Sequence, residues 1–422
     1  MQWKIEEIIQ QENIVIYFQP IISTYHDRVD GVEALVRGLT PSGELIPPMA
    51  LFQAAQQAGQ VIALDRLCQR KAIESFSRRG ASQQDMILFL NVDNSVIHLD
   101  AHTDAIYDYC IQNDVSPGNV VLEINELHTS DMAAVKKFTK TYKAYGFMIS
   151  IDDIGAGYSN LDRIVALKPD IIKIDRELIR HVDKHYYKQQ IVEMIIRMAE
   201  KTGALVVAEG IEELEEALTV LRYGAQLLQG FYISRPMDMR TGSTKEVKAT
   251  IRRMIDEQKA HLATMLEDKC RFNLELRETF QRFKAMMTER EEEQLKDCLA
   301  SGNISACLSD ILTSFTEVEC AYIIDQKGRQ MTDTVFHPKF SHLHKKSLFS
   351  PYREGADATL KAYYYVLRTT NQPQYVSEEY LSLATGHRCI TISGSITWQE
   401  QRVILCLDVI REELESLMME VV

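Results

Sequence analysis

Short apolar runs recur along the first 240 residues, and most of them end abruptly in a polar residue. Helix-like segments rich in Ala, Glu, Lys and Gln separate most of the runs, at 50–76, 132–144, 188–201 and 212–221. The eight runs are VIYFQ to Gln19, GVEALVRG with Glu33 and Arg37, MILFLN to Asn91, VVLE to Glu123, MISIDD to Asp152 and Asp153, DIIKID with Lys173 and Asp175, LVVAE to Glu209, and AQLLQ to Gln229. This alternation predicts an α/β fold with a mainly parallel sheet closed into a (β/α)8 barrel.

The polar ends of these runs are predicted to meet at one site. In a barrel of this kind the active site lies at the carboxyl ends of the strands. A single acid after a strand is commonly a helix cap or a turn residue, but the repetition from run to run favours a shared site. Lys173 lies inside IIKID, where the period-two pattern places it facing inward together with Asp175. A buried lysine needs a partner, which the acids would supply.

The chain changes character after residue 240. Residues 244–287 carry apolar side chains at three- and four-residue steps and predict an amphipathic helix or helix pair, which packs onto its own domain or forms a dimerising rod. The last part reads as a small antiparallel α/β module, with strands in AYIIDQKGRQMTDT, KAYYYVLRTT, RCITISGSITW and RVILCLDVI. His337, His342 and His344 favour a solvated loop over a metal or haem site. We therefore predict domains at 1–240 and 301–422 joined by a helical linker at 241–300.

Composition limits the function classes. The net charge of -13 over 422 residues argues against non-specific binding to a nucleic-acid duplex, which needs a basic face. No apolar run is long enough to suggest a membrane span, and the first residues lack the features of a secretory signal, so we expect a cytoplasmic protein. The eight cysteines include no CxxC pair and suit reduced, mostly buried thiols.

The polar side chains at the strand ends suggest metal chemistry. They supply carboxylate and amide oxygens without thiolate or imidazole, a set that selects Mg²⁺ or Mn²⁺. The adjacent pair Asp152 and Asp153 could bridge and hold two cations, which would activate a water and stabilise a leaving oxygen. Lys173 could hold that water or a phosphate oxygen, and Glu209 could orient the water or accept its proton. Hydrolysis of a phosphodiester is the reaction class that these residues favour.

Seven short motifs in order resemble one family. They are Glu33-Ala34-Leu35, LNV at 90–92, LEINE at 122–126, DDIGAGYSNL at 152–161, KID at 173–175, AEGIE at 208–212 and QGF at 229–231. Over the first 240 residues the chain closely resembles the EAL-domain cyclic di-GMP phosphodiesterases. The resemblance implies a TIM-like barrel whose first strand runs antiparallel, and hydrolysis of cyclic di-GMP to linear pGpG with Mg²⁺ or Mn²⁺.

The resemblance also assigns roles by position. The implied metal ligands are Glu33, Asn91, Glu123, Asp152 and Asp153, with Lys173 and Glu209 beside the attacking water. Gln19, Leu35, Arg37, Glu212, Gln229 and Pro236 would contact or frame the nucleotide. Glu126 would hold the loop after Asp153, which in the family helps to form a homodimer. The last 120 residues weakly resemble the PAS-like sensor domains that accompany EAL domains, and they are expected either to sense an unidentified signal or to act as an inert dimer cap.

The loop after Asp153 departs from the family pattern. The family sequence is usually DDFGTGYSSL, whereas this chain has Ile154, Ala156 and Asn160 at the three differing positions. Loss of a threonine hydroxyl and of an aromatic anchor could loosen the loop that positions the second metal ligand. A cyclic di-GMP receptor with little or no catalysis is therefore the alternative function. A protein-interaction module that no longer binds the nucleotide is the third, and it is disfavoured because no ligand position is lost.

Overall fold

The chain forms two compact units, Met1–Ala263 and Thr264–Val422. The computed structural model describes residues 3–78, 86–93, 97, 104–125, 132–155, 161–238, 244–288, 303–340, 351–370, 372–382 and 387–410. Among these residues no helix is long and apolar enough to cross a membrane.

Strands and helices alternate through the first unit. Its described strands are β1 (Ile14–Ser23), β2 (Arg28–Leu39), β3 (Leu45–Ile46), β4 (Ile87–Val92), β5 (Val120–Asn125), β6 (Met148–Ile154), β7 (Ile171–Ile174), β8 (Leu205–Ala208) and β9 (Leu227–Leu228). Its described helices are α1 (Ile5–Gln10), α2 (Pro48–Gln57), α3 (Val61–Ser77), α4 (Ala105–Gln112), α5 (Met132–Ala144), α6 (Leu161–Leu167), α7 (Arg176–Ile179), α8 (Tyr186–Thr202) and α9 (Leu214–Tyr223).

Eight of these strands close into a barrel. The order β1-β9-β8-β7-β6-β5-β4-β2 is closed by pairing of β1 with β2, and β3 adds a short hairpin to β2 outside the ring. β1 is antiparallel to both of its neighbours, while every other neighbouring pair in the ring is parallel. The structure thus confirms the predicted barrel and its antiparallel first strand.

The barrel interior changes from apolar to polar along the strands. An apolar cluster, the plug, fills the barrel nearer the amino ends of the parallel strands. It is formed by Ile21, Phe89, Val121, Ile171, Val207 and Leu227. Two residues further toward the carboxyl end of the parallel strands, the same inward positions carry Asn91, Glu123, Lys173, Glu209 and Gln229. Because strand side chains alternate with period two, each strand contributes one inward side chain to the plug and its next inward side chain to the polar layer. The plug therefore closes the barrel interior on one side of the polar layer.

The predicted helix at 50–76 is two helices in the structure. α2 ends at Gln57 and α3 begins at Val61, with Gly59 between them at a φ of +67°. A positive φ is incompatible with a continuing right-handed helix and is easily reached by glycine. The other helix-like segments of the first unit correspond to single helices.

A single helix runs across the boundary between the two units in the sequence. α10 runs from Thr244 to Thr288 within the described residues, so the expected helix or helix pair is one helix there. Its early apolar residues Val247, Ile251 and Met254 belong to the core of the first unit. Its late apolar residues, which include Phe280 and Phe283, belong to the core of the second unit.

The second unit is an antiparallel sheet with flanking helices. Its described strands are β10 (Val318–Ile324), β11 (Val335–Phe336), β12 (Gln374–Val376), β13 (Tyr380–Leu381), β14 (Arg388–Trp398) and β15 (Gln401–Ile410). The order is β11-β10-β15-β14-β12, with β13 paired to β14. The described helices are α11 (Ile304–Leu312) and α12 (Ala362–Thr369).

Two expectations for the second unit were wrong. KAYYYVLRTT forms α12 and not a strand, because Tyr363, Tyr364 and Leu367 are buried at helical spacing against the sheet residues Tyr322 and Ile324. His337 is buried, with its Nδ1 accepting a hydrogen bond from the Lys339 amide at 3.1 Å, so it is not in a solvated loop. His342 and His344 lie outside the described residues.

Candidate active site

Lys173 lies at the centre of the polar end of the barrel. Its side chain is 1% exposed, and its Nζ lies 2.5 Å from Glu123 Oε1 and 2.5 Å from Glu209 Oε1. The same nitrogen lies 3.4 Å from Asp152 Oδ1 and 3.6 Å from Glu33 Oε2. Residues from β2, β5, β6, β7 and the end of β8 therefore meet at one ammonium group.

The buried charges shift one another's proton affinities. Burial alone lowers the pKa of Lys173, but attraction by Asp152, Glu123, Glu209 and Glu33 outweighs it and raises that pKa well above its ordinary value. Burial raises the pKa of Glu123 and of Glu209 well above the ordinary carboxyl value, despite attraction by Lys173. Burial likewise raises the pKa of Asp152. One lysine therefore does not compensate the negative charge of this cluster.

Glu33 is held by neutral hydrogen-bond donors as well as by Lys173. Gln229 Nε2 donates to Glu33 Oε2 at 2.6 Å, and Asn91 Nδ2 donates to Glu33 Oε1 at 2.9 Å. Burial opposes ionisation of Glu33, but Lys173 and these donors outweigh burial and lower the pKa of the carboxyl. Gln229 Nε2 also donates to Gln19 Oε1 at 3.2 Å. The amide of Gln229 thus connects the antiparallel strand β1 to the metal-ligand candidate on β2.

The aspartate pair at the end of β6 has a distinctive backbone. Asp153 adopts a φ of +60°, which is uncommon for a residue with a side chain, and its amide donates to Asp152 Oδ1 at 3.0 Å. Ligand oxygens of Asp152, Asp153 and Glu209 all lie within 4.8 Å of one another, so these three residues could hold a cation. The geometry adds Glu209 to the predicted ligand candidates, among which it was not counted.

Glu216 holds the segment that follows β8. Its side chain is buried, and Oε2 accepts hydrogen bonds from the amides of Glu212 at 2.9 Å and Glu213 at 3.1 Å. Oε1 accepts from the amide of His181 at 2.8 Å, in the segment after α7. One carboxylate therefore ties the loop that carries Glu209 and Glu212 to the loop that follows Lys173. Sequence reading assigned Glu216 no role, although a glutamate three residues after Glu213 fits a capping box at the start of α9.

Replacement of Glu216 by alanine is expected to lower the free energy of unfolding by about 1–2 kcal/mol, because three backbone amides lose the buried carboxylate that accepts their hydrogen bonds. Glu215→Ala, on the exposed side of the same helical turn, is the matched control and should change stability by less than about 0.5 kcal/mol. Urea denaturation of both variants measures the difference. Equal stabilities would show that the carboxylate of Glu216 is dispensable.

A cavity of about 210 Å³ opens beside the charged cluster. Of the predicted nucleotide contacts, Gln19, Glu212 and Gln229 line it, together with Glu33 and Glu209. The remaining lining residues were given no role from the sequence, and they are Arg176, Gly210, Gly230 and Phe231. A Cβ at Gly230 would lie 2.1 Å from the carbonyl oxygen of Ile211, so only glycine fits this wall.

The other sequence-predicted residues lie in different positions. Leu35 and Arg37 follow Glu33 on β2, half-buried, and Arg37 donates to the Val36 carbonyl at 2.7 Å. Pro236 is half-buried in a segment bound to β1, where the amide of Met237 donates to the Phe18 carbonyl at 3.0 Å. These three residues do not line the described cavity. Glu126 and the loop residues Ala156 and Asn160 lie outside the described residues.

Asp175 does not share the inward position of Lys173. Its carboxylate accepts the Glu177 amide at 2.8 Å and caps the short helix α7. The strand ends at Ile174, so the period-two pattern no longer applies at Asp175. The capping preference of aspartate explains the difference.

Comparison with known proteins gives the family of the first unit. The family model described as the EAL domain matches residues 3–236. The chain is 28% identical to the signaling protein YkoW of Bacillus subtilis over 55% of this chain and 29% of YkoW. It is 27% identical to the probable cyclic di-GMP phosphodiesterase PdeB of Escherichia coli over 56% of this chain and 45% of PdeB. The chain thus spans less than half the length of these two relatives.

A third relative resembles both units. The uncharacterized EAL-domain containing protein YkuI of Bacillus subtilis is 25% identical over 77% of this chain and 78% of YkuI. Its crystal structure, in complex with substrate c-di-GMP and calcium, superposes with a TM-score of 0.72 at 23% identity, over 97% of this chain and all of that chain. That superposition concerns the fold. With a match that covers more than half of the chain, the protein belongs to the EAL domain family.

Proposed function

We propose that this protein is a metal-dependent phosphodiesterase that hydrolyses cyclic di-GMP to linear pGpG. The observation that carries the proposal is the position of Lys173, in contact with four carboxylates at the carboxyl end of the barrel. Membership of the EAL family supports it, as does the name of PdeB as a probable cyclic di-GMP phosphodiesterase. The YkuI complex with c-di-GMP and calcium is consistent with the same substrate.

The residues at the site suit a divalent cation. Glu123 Oε2 is buried without a hydrogen-bond partner, and the donor set consists of carboxylate and amide oxygens. Asn91 donates its Nδ2 to Glu33, which leaves its Oδ1 as the ligand atom. We propose that the ligands are Glu33, Asn91, Glu123, Asp152 and Asp153, with Mg²⁺ or Mn²⁺ as the cation. When bound, such cations supply Lewis acidity that lowers the pKa of water and offsets negative charge on phosphate oxygens.

Lys173 and Glu209 would handle the attacking water. The ammonium group is held in place by its carboxylate neighbours and can donate to a water or a phosphate oxygen at the centre of the site. Glu209 Oε1 lies 2.5 Å from the ammonium group of Lys173, so its carboxylate stands where it could orient the water or accept its proton. In the overall reaction the water oxygen bonds to phosphorus, one P–O3′ bond breaks, and the departing O3′ takes up a proton.

The dinucleotide would extend from the charged cluster along the cavity. We propose Gln19, Leu35, Arg37, Glu212, Gln229 and Pro236 as its contacts, and Glu126 as the residue that holds the loop after Asp153. We further propose that residues 1–240 are the catalytic domain, that residues 241–300 link it to a PAS-like regulatory module at 301–422, and that the protein is a cytoplasmic homodimer. The signal for that module is a small molecule or a protein.

The first test is incubation of the purified full chain with cyclic di-GMP and Mn²⁺ or Mg²⁺, with pGpG followed by chromatography and binding measured in the same samples. Glu33→Ala should reduce turnover by about 100-fold or more, because it removes a ligand held by Asn91, Gln229 and Lys173. Glu44→Ala, which removes an exposed carboxylate in the β2–β3 hairpin, is the matched control. Unchanged turnover in Glu33→Ala would exclude the assignment of Glu33.

The alternative is a cyclic di-GMP receptor with little catalysis. It is motivated by the altered sequence after Asp153, where buried Ile154 replaces the family's phenylalanine. Tight binding without pGpG would favour it. If the loop is the defect, the double substitution Ile154→Phe with Ala156→Thr should raise turnover at least several-fold, and an unchanged rate would remove the loop as the cause.

A further inference from the structure

Arg176 and Glu212 form a pair at the mouth of the cavity. Arg176 is the first residue of α7 and lies two residues after the end of β7, the strand that carries Lys173. Glu212 lies four residues after the end of β8. Arg176 Nη2 lies 2.8 Å from Glu212 Oε1, and both side chains line the cavity. They are 46% and 38% exposed, so solvent or a ligand can reach the remaining donor and acceptor atoms.

The stem of Arg176 is fixed by the loop beneath it. Gly210 has a φ of +66°, and a Cβ built there would lie 2.4 Å from Arg176 Cγ and 2.5 Å from Arg176 Cβ. Glycine therefore allows the arginine stem to lie directly on the loop between Glu209 and Glu212. This contact and the ion pair together restrict the guanidinium to the cavity side of the loop.

The pair offers complementary hydrogen-bonding groups side by side. Arg176 is the only cationic residue among the described residues that line the cavity, and its guanidinium carries five N–H donors, of which the ion pair uses few. The free oxygen of Glu212 is an acceptor. A flat ligand that presents acceptors next to donors along one edge would satisfy both side chains at once.

Guanine has this arrangement of groups and adenine has the reverse. The O6 and N7 atoms of guanine accept hydrogen bonds and fit the fork of an arginine. The adjacent N1–H and N2–H groups donate and fit a carboxylate. Adenine carries an N6 amino donor where guanine has O6, and an acceptor at N1 where guanine has a donor. With adenine, an amino donor would face the N–H donors of Arg176, and an acceptor would face the carboxylate of Glu212.

We propose that Arg176, held by Gly210 and Glu212, is a specificity-determining residue that selects guanine over adenine in the cyclic dinucleotide. This assignment rests on the proposed function, and it adds a residue to which sequence reading gave no role. The contribution of Arg176 is to base choice and not to the bond-breaking step, since the ion pair lies on the loops outside the Lys173 cluster.

The test compares dissociation constants for cyclic di-GMP and cyclic di-AMP by calorimetry on the full chain, first in EDTA and then in Ca²⁺. Arg176→Met keeps the aliphatic stem over Gly210 but removes the guanidinium group. Arg176→Lys keeps the positive charge but removes the paired N–H donors of the guanidinium. Both should weaken cyclic di-GMP binding by about 10- to 100-fold, with cyclic di-AMP binding changed by less than about threefold. Arg197→Met, at an exposed arginine of α8 paired with Glu193, is the matched control and should bind as wild type does.

Three outcomes would overturn the assignment. If Arg176→Lys keeps the wild-type ratio of the two dissociation constants, the residue supplies charge alone. If Arg176→Met weakens both dinucleotides equally, the residue does not read the base. If wild type binds neither dinucleotide, the proposed function fails and the assignment fails with it. If wild type prefers cyclic di-GMP and the variants keep that preference, only the assignment of Arg176 fails.

Discussion

Replacing Lys173 by methionine is expected to lower the free energy of unfolding of the metal-free protein by about 3–5 kcal/mol and to abolish turnover. Methionine keeps much of the volume but removes the cation that contacts Glu123, Glu209, Asp152 and Glu33. The carboxylates would then remain together with no compensating charge from the protein. Breaking a buried ion pair by removal of one partner costs more than the pair itself contributes.

Stability of the first unit is measured by amide hydrogen exchange of peptides from β5 and β7 across a urea series, in EDTA. Lys201→Met is the matched control, because Lys201 is exposed at the end of α8, and it should change stability by less than about 0.5 kcal/mol. The double substitution Lys173→Met with Glu123→Gln removes one of the stranded carboxylates and should be more stable than Lys173→Met alone. A Lys173→Met variant as stable as wild type would show that the ion pairs contribute nothing net.

Divalent cations should reduce the loss in Lys173→Met. A cation bound among Glu123, Asp152 and Glu33 would supply the positive charge that the methionine lacks, and binding to the folded state alone raises its stability. Addition of Mn²⁺ should therefore stabilise this variant more than it stabilises wild type. The same exchange experiment with Mn²⁺ in place of EDTA measures this, and equal effects on both proteins would count against a cation at this position.

Much of the site could be predicted because alternate residues of each barrel strand point inward, and the last inward residues of the strands meet at one end of the barrel. Phe89 and Asn91, Val121 and Glu123, and Ile171 and Lys173 are each two residues apart, and each pair spans the plug and the polar layer. The position of a polar residue at the end of each apolar run therefore indicated the polar layer, and period-two alternation placed Lys173 inward. The same rule failed at Asp175, where the strand ends and the local capping preference decides the direction of the side chain.

Residues that act across the loops were harder to predict. Arg176 and Glu212 are 36 positions apart and meet because β7 and β8 are neighbours in the barrel. The Glu216 carboxylate accepts a hydrogen bond from the backbone amide of His181, 35 positions away, for the same reason. Neither contact leaves a periodic signal in the sequence. In the second unit, the tyrosine-rich run that forms α12 has residues of high strand preference, and packing on the sheet overrides that preference.

The second unit should lose stability as pH rises through the acidic range, because Asp408 is buried on its sheet. Asp408 lies on β15 directly opposite Cys320 of β10 and Thr391 of β14. Thr391 Oγ1 donates to Asp408 Oδ1 at 2.8 Å, and Cys320 Sγ donates to Oδ2 at 3.4 Å. Burial raises the pKa of Asp408 to about 6 even though these donors and Tyr380 lower it.

The direction of the effect follows from the two protonation states. Below the unfolded pKa, about 4 for an aspartate, the carboxyl is protonated in both states and burial has no ionic cost. Between that value and about 6 the unfolded chain is ionised while folded Asp408 stays neutral, so the free energy of unfolding falls as pH rises. The full cost is on the order of 3 kcal/mol above pH 6, of which about 2 kcal/mol develops between pH 4 and pH 7.

Asp408→Asn should remove this dependence, because asparagine keeps the shape and the acceptor for Thr391 without ionising. The free energy of unfolding of the variant minus that of wild type should rise by about 2 kcal/mol from pH 4 to pH 7. Trp398, buried in the second unit, reports urea unfolding in a Trp3→Phe background. Glu400→Gln, which makes the corresponding change at an exposed site between β14 and β15, should leave the pH profile parallel to wild type. A parallel profile for Asp408→Asn as well would mean that Asp408 ionises as easily in the folded sheet as in the unfolded chain.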